Sequence, residues 1–352
     1  MTLGLDGVVS VTEVRTDDAG KAWDRYVHDH PLASGYHLMA WRCVVEKACG
    51  HRTFYLMATD EHEQVRGVLP LVFLSSRFFG RFLVSMPFFN YGGVLADTSE
   101  AQGTLLEAAI TLAKELTATY IELRHQEFLD VNWPSKQHKV SMRLDLPSNF
   151  ETLFKTFPSK LRSQIRRAQK EEMTVRIAAN ELLDDFYQIF VRNMRDLGTP
   201  VYGRRFFEAI LQAFPADTRI CVVYLKKRPV AAGFLCGFRD TLEIPWASSD
   251  RRYNHLAPNM LLYSSVLEFA CREGFRQFDF GRSSAASGTY RFKEQWGARP
   301  VRLHWYYWSS NGRTMSEVDR ENSMYSAAIK IWSRLPVVLT RIIGPAIVRH
   351  IP

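Results

Sequence analysis

Three stretches decide the fold: Arg219-Ile220-Cys221-Val222-Val223-Tyr224-Leu225-Lys226, Pro229-Val230-Ala231-Ala232-Gly233-Phe234-Leu235-Cys236-Gly237-Phe238 and Thr241-Leu242-Glu243-Ile244-Pro245-Trp246-Ala247-Ser248. Short, rich in β-branched and aromatic residues and separated by polar breaks, they read as three consecutive strands of an antiparallel meander. Downstream, Pro258 starts a helix running to Ala270, because proline suits the first helical position. A strand at Gln277–Phe280, a Gly/Ser loop, a helix at Tyr290–Trp296 and a strand at Val301–Trp308 complete the pattern. Upstream lie helices at Leu182–Asp196 and Arg205–Ala213, a short strand at Thr174–Ile177 and a basic helix at Ser159–Glu172.

The first half has the same order. A strand at Val9–Val14 is followed by helical patterns at Ala22–Val27 and Leu38–Ala48, an alternating hairpin at Thr53–Thr59 and Val65–Leu74, and a strand at Arg81–Met86. A helix at Glu100–Leu116 and strands at Tyr120–Leu123 and Lys139–Leu146 close that half. Repetition of one supersecondary order predicts an α+β chain of two tandem GNAT-like (acyl-CoA N-acyltransferase-like) domains. The expected boundaries are 1–146, 147–314 and a C-terminal helical tail at 315–352.

Composition agrees with a globular chain: 352 residues, 46% hydrophobic, 13% aromatic and 23% charged, with a net charge of +8. Disordered, collagenous and low-complexity classes are excluded. The five cysteines, Cys43, Cys49, Cys221, Cys236 and Cys271, form no CxxC pair and read as reduced, cytoplasmic core residues. The acidic N-terminus is unlike a signal peptide, and no apolar run reaches the roughly 20 residues that span a bilayer. There is no metal-ligand spacing, Walker loop, dinucleotide fingerprint or GxSxG elbow, so kinase, dehydrogenase and serine-hydrolase readings have no support.

The strongest chemical signal is Phe278-Asp279-Phe280-Gly281-Arg282-Ser283-Ser284, followed by Ser287-Gly288-Thr289-Tyr290-Arg291-Phe292-Lys293. A buried strand meets a flexible turn, and the following helix start offers amides together with Arg291 and Lys293 to a phosphate, carboxylate or developing oxyanion. Lys293 is the lead catalytic candidate, and Arg282, Ser283, Tyr290 and Arg291 are candidate substrate contacts; a capped helix with a solvated lysine is the alternative. Asp279 is a candidate general base or else the cap of the Gly281 turn, and Glu243 has the same ambiguity.

In the basic helix, Leu161, Ile165 and Ala168 share one face while Arg162, Arg166 and Lys170 share another, a stripe suited to an anionic partner or to solvent. Tyr202 and Arg205, after the turn Gly198-Thr199-Pro200, and Tyr91, in Asn90-Tyr91-Gly92-Gly93, are further candidate contacts. The loop from Ser248 to Pro258 contains no glycine, which disfavours a tight backbone grip on a CoA diphosphate. From Ile331 to Pro345, apolar bulk, Trp332 and spaced arginines suit a bilayer interface or packing on the catalytic domain.

On these residues the chain resembles the FemAB/FemX family, in its exosortase/PEP-CTERM and exopolysaccharide-associated branch. The resemblance is carried by His37-Leu38-Met39-Ala40-Trp41, Gly50-His51-Arg52-Thr53, Gly67-Val68-Leu69-Pro70, Asn90-Tyr91-Gly92-Gly93, Leu197-Gly198-Thr199-Pro200-Val201, the Asp279–Ser283 segment, Phe292-Lys293 and Trp296-Gly297. It implies tandem GNAT-like domains and transfer of an amino acid from aminoacyl-tRNA to an amine of a cell-wall precursor. Lys293 matches the family's functional lysine, Tyr202 and Arg205 fall in its precursor-contacting region, and Arg166 lies in its basic motif. The long helical arm of some Fem proteins is absent. The expected activity is an acyl- or aminoacyltransferase acting on an envelope or exopolysaccharide precursor, free or lipid-linked, at the inner membrane face without a resident cofactor; the alternative is a non-catalytic subunit that holds a lipid-linked glycan.

Overall fold

Alternating and apolar runs build two separate mixed sheets. The computed structural model describes residues 9–76, 80–310 and 329–351. In the first unit, β1 (Ser10–Glu13), α1 (Asp17–Asp29), α2 (Ala40–Cys49), β2 (Arg52–Thr59), β3 (Val65–Ser76), β4 (Gly80–Val84), β5 (Leu95–Ala96), α3 (Ser99–Glu115), β6 (Tyr120–His125) and β7 (Ser135–Lys136) follow in chain order. Thr16 and Thr98 cap α1 and α3 by accepting from Ala19 N and Ala101 N, and α2 stops at Gly50 in the left-handed region. Ala101, Leu105, Ala109 and Ala113, one helical turn apart, put a smooth stripe of α3 onto Phe54, Leu56, Leu69, Leu71 and Ile121.

The second unit contains β8 (Lys139–Asp145), α4 (Phe150–Thr156), α5 (Ser159–Gln169), β9 (Met173–Ala178), α6 (Leu183–Asp196), α7 (Arg204–Ala213), β10 (Thr218–Leu225), β11 (Arg228–Phe238), β12 (Thr241–Ser249), α8 (Pro258–Arg272), β13 (Gln277–Ser284), α9 (Gly288–Glu294) and β14 (Arg299–Arg302). Its sheet order is β14-β8-β13-β12-β11-β10-β9, antiparallel except for β12 with β13. The meander Thr218–Ser249 is as the sequence reads. Leu161, Ile165 and Ala168 of α5 are buried in one core with Leu262, Val266 and Ala270 of α8, Phe278 and Phe280 of β13, and Trp296. On the opposite sheet face, α6 and α7 bring Phe186, Phe190, Phe206 and Phe207 against Phe234 and Trp246.

One boundary differs from expectation. The strand read at Val301–Trp308 is two strands, β14 and β15 (His304–Ser309), and β15 pairs with β6 in the first sheet, whose order is β1-β2-β3-β4-β6-β15-β7. Conversely β8, read as the end of the first domain, pairs with β13 and β14 in the second. The compact units are therefore residues 1–137 with 303–316 and 350–352, and 138–302 with 317–349, rather than 1–146 and 147–314. Alternation marks a strand but does not name its partner. Of the expected tail, the stretch from 315 to 328 lies outside the described residues; residues 329–332 are helical, and α10 (Val337–Val348) packs on α6.

Candidate active site

The site of interest lies where β12 and β13 part. These parallel strands pair through only three couples, ending at Glu243 with Asp279. Ile244 and Pro245 together oppose the single residue Leu235, between the couples Cys236–Glu243 and Phe234–Trp246, so β12 carries a bulge. The bulge puts Ile244 in the α8 core and Trp246, two residues on, among the aromatics of α7. Pro245 has no N–H to offer a neighbouring strand. On β13 a matching irregularity sets Phe280 and Gly281 opposite Met142, with Gly281 at φ 75°, where only glycine sits without strain. Two adjacent bulges thus open a wedge between the strands.

That wedge exposes main-chain oxygens, and Lys293 takes them. Its Nζ donates to Gly281 O at 2.8 Å and to Arg282 O at 2.9 Å, while the side chain is 8% exposed. An ammonium has three N–H donors, so one remains for a ligand. Burial draws the Lys293 pKa down to about 8; the charges of Asp279 and Glu243 pull it back up, and Arg282 pushes it further down. Ser287 caps the helix that carries this lysine, accepting from Tyr290 N at 3.2 Å. Ser283, 3% exposed, has an Oγ with no hydrogen-bond partner among the described residues.

Asp279 is placed as the bulge cap. It is fully buried and accepts from Gly281 N at 2.7 Å and from Ser141 Oγ at 2.5 and 2.7 Å, with Arg143 Nε at 3.4 Å. With both oxygens engaged and no exposed surface, the carboxylate anchors the turn, and the general-base reading has no geometric support. Ser141 and Arg143 are neighbours of Asp279 that sequence reasoning missed. Their only signal is the alternation of β8, in which Met142 and Leu144 enter the α8 core and Ser141 and Arg143 face the other way. The expected Gly/Ser loop is also different: Gly281–Ser284 continue β13 as strand.

The structure brings Lys293, Asp279, Arg282, Ser283 and Glu243 together. Arg282 and Arg291 are exposed, and Tyr290 packs its ring on the α8 core. Tyr202 stacks on Phe206 with centroids 5.0 Å apart and meets Trp246 edge-on, so it borders the α7 side of β12, with Arg205 exposed at the start of α7. Arg166 is on the other side of the sheet: it lies over Phe154 on the α5–α8 surface and does not join the lysine.

Tyr91 is in the first unit, buried against Tyr36, lining a cavity of about 110 Å³ with His37, Gly93 and His125. There β4 and β6 also pair in parallel over three couples, but the wedge is filled. Ser85 N donates to Glu122 O at 2.9 Å, Gly92 N to Arg124 O at 3.1 Å, and the buried Arg124 donates to Glu122 Oε1 and Phe89 O, both at 2.6 Å. No group of three metal-ligating side chains occurs among the described residues.

The paired units, each with a meander, a parallel couple and a helix crossing between, define the tandem GNAT fold. Residues 156–294 match the acetyltransferase (GNAT) domain family. The fold is shared with the crystal structure of FemX, at 16% identity over 84% of this chain and 97% of that one, with a TM-score of 0.65. A tandem GNAT protein from the clavulanic acid biosynthesis pathway matches at 12% identity over 88% and 100%, TM-score 0.55. Saccharomyces cerevisiae N-myristoyltransferase with bound myristoylCoA matches at 10% over 87% and 84%, TM-score 0.52. No curated protein sequence matches the chain. The chain is thus α+β, two tandem GNAT-like domains with a C-terminal helical tail.

Proposed function

We propose that this protein is an acyl- or aminoacyltransferase that forms an amide on a cell-envelope or exopolysaccharide precursor, with its chemistry in the wedge of the second unit. The observation that carries the reading is the buried Lys293 ammonium, held by two carbonyls in the wedge with one N–H to spare. An acceptor amine attacks the donor carbonyl, a C–N bond forms, the leaving group departs with its electron pair, and the amine proton passes to solvent. The spare N–H of Lys293 meets the developing oxyanion; one such donor is worth about 10²–10³ in rate. Asp279 and Arg143 keep the bulge in shape, and Arg282, Ser283, Tyr202, Arg205, Tyr290 and Arg291 are the substrate contacts.

The FemX fold and the resemblance of the Lys293 segment favour the FemAB-like branch, with aminoacyl-tRNA as a candidate donor. The exosortase/PEP-CTERM setting rests on the sequence resemblance alone. The turn before α8 supports a donor other than CoA: Arg251–Leu256 form a 3₁₀ turn without glycine, and α8 opens with Pro258, which has no amide to give a phosphate.

Contact with the inner membrane face is supported by the tail. α10 packs through Thr340, Gly344 and Val348 and leaves Val338, Leu339 and Ile342 exposed, as is Ile331. Lys330, Arg334, Arg341 and Arg349 accompany them, and residues 329–351 contain no acid. That pairing of apolar and cationic groups fits an anionic bilayer. No helix among the described residues is long and apolar enough to cross a membrane, and all five cysteines are free thiols.

The test is mass spectrometry of the exopolysaccharide and cell-wall precursor pools with and without the protein. Loss of one acyl or aminoacyl mass is expected. Unchanged pools with normal polymer export overturn the transferase reading in favour of a glycan-holding subunit.

A further inference from the structure

A second charged site lies at the other end of β12. Asp250, immediately after the strand, is 3% exposed and accepts from Arg192 Nη1 of α6 at 2.8 Å. Arg252 grips the same carboxylate, Nε to Oδ1 at 3.0 Å and Nη2 to Oδ2 at 2.5 Å. Arg228, the first residue of β11, donates to Tyr253 Oη at 2.9 Å. Arg192, Arg228, Arg252 and Asp250 line an open cleft of about 130 Å³ together with Gln188, Ile189 and Pro229. Three guanidinium groups face one carboxylate there, a local excess of two positive charges. Arg192 in addition keeps a buried Nε–H that has no acceptor among the described residues.

A carboxylate this buried organises the guanidiniums but neutralises only one. A partner that would cancel the remaining two charges is a compact dianion with several acceptor oxygens. Guanidinium forks match phosphate oxygens in geometry. The cleft has room for a phosphoryl group and is too small for a nucleotide.

We propose that Arg192, Arg228 and Arg252, arranged by Asp250, form a binding site for a phosphoryl dianion, supplied either as free phosphate or as the phosphate of a sugar phosphate. The site is about 20 Å along β12 from Glu243, at the strand rise of about 3.3 Å per residue, and does not depend on the Lys293 chemistry. Its test reads binding, not turnover.

The experiment is isothermal titration of the full chain at low ionic strength with inorganic phosphate and, separately, glucosamine 1-phosphate. Saturable one-site binding with a Kd of about 1 mM or tighter is expected for at least one probe. Tighter binding of the sugar phosphate assigns the site to a substrate group, and equal affinities assign it to free phosphate. Arg228→Gln, which leaves the Asp250 contacts untouched, weakens binding at least about threefold, and Arg192→Gln with Arg228→Gln at least about tenfold. The melting temperature checks that each variant is folded. No saturable heat with either probe up to about 10 mM, or equal affinity in the Arg228→Gln protein, overturns the proposal.

Discussion

The Nζ of Lys293 lies 2.8 Å from the carbonyl oxygen of Gly281, a residue whose φ of 75° turns that carbonyl out of the β13 ladder. The lysine therefore does two things at once: it satisfies main-chain oxygens that the bulge strips of partners, and it carries a positive charge into the wedge. Its substitution should affect both stability and rate, and the two effects separate experimentally.

Lys293→Met leaves the buried Gly281 carbonyl and the part-buried Arg282 carbonyl without this donor, so a loss of about 1–3 kcal/mol in unfolding free energy is expected from denaturant titration. Transfer should fall further, by about 10²–10³. Lys293→Arg keeps a charge and donors and should recover part of each. A turnover loss no larger than the loss of folded protein would deny Lys293 a role in the reaction.

The pH dependence follows from the lowered pKa of Lys293, about 8 in the folded chain. An oxyanion partner must be protonated, so the ratio of native to Lys293→Met turnover, which cancels the titration of the acceptor amine, should be level below pH 8 and fall above it. The stability sign is opposite. Between about 8 and the ordinary lysine value of 10.5 the unfolded chain binds more protons than the folded one, so the Lys293 contribution to stability rises with pH across that window. Comparing melting temperatures of native and Lys293→Met protein at pH 7.5 and 9.5 isolates it.

Asp279→Asn distinguishes a cap from a base. The variant removes the charge that draws the Lys293 pKa upward, so the inflection in the rate profile should move below 8, with a lower melting temperature and residual turnover. Abolished turnover in a protein of native stability would instead make Asp279 the base.

Gly281→Ala tests the bulge itself. An added Cβ meets nothing nearer than Ile244 O at 3.5 Å, so the cost comes from the positive φ and should be about 1–2 kcal/mol by denaturant titration. Transfer should fall with it, because the carbonyls that position Lys293 move.

For the tail, replacing Val338 and Ile342 by Glu should reduce co-sedimentation with phosphatidylglycerol vesicles at least about tenfold without changing the melting temperature, since both side chains are exposed. Equal co-sedimentation of the native chain with neutral phosphatidylcholine vesicles would argue against the arginines as the recognition element.

Much of this was legible in the chain. The meander from Thr218 to Ser249, the helix at Pro258 and the Leu161-Ile165-Ala168 stripe follow from local periodicity, because each element buries one face whatever its distant partners are. The Phe278-Asp279-Phe280 alternation correctly implies a buried strand, and the proximity of Lys293 to the Gly281 turn follows from a short connection. The tertiary structure alone decided that β8 joins the second sheet and β15 the first, since pairing is set by which edges meet in space. It also set the surroundings of Asp279: Ser141 and Arg143 are more than 130 residues away in the chain, and only the β8–β13 register brings them to its carboxylate. Local sequence determines which face a side chain takes, whereas the charge and proton affinity it has there depend on groups that folding delivers from elsewhere.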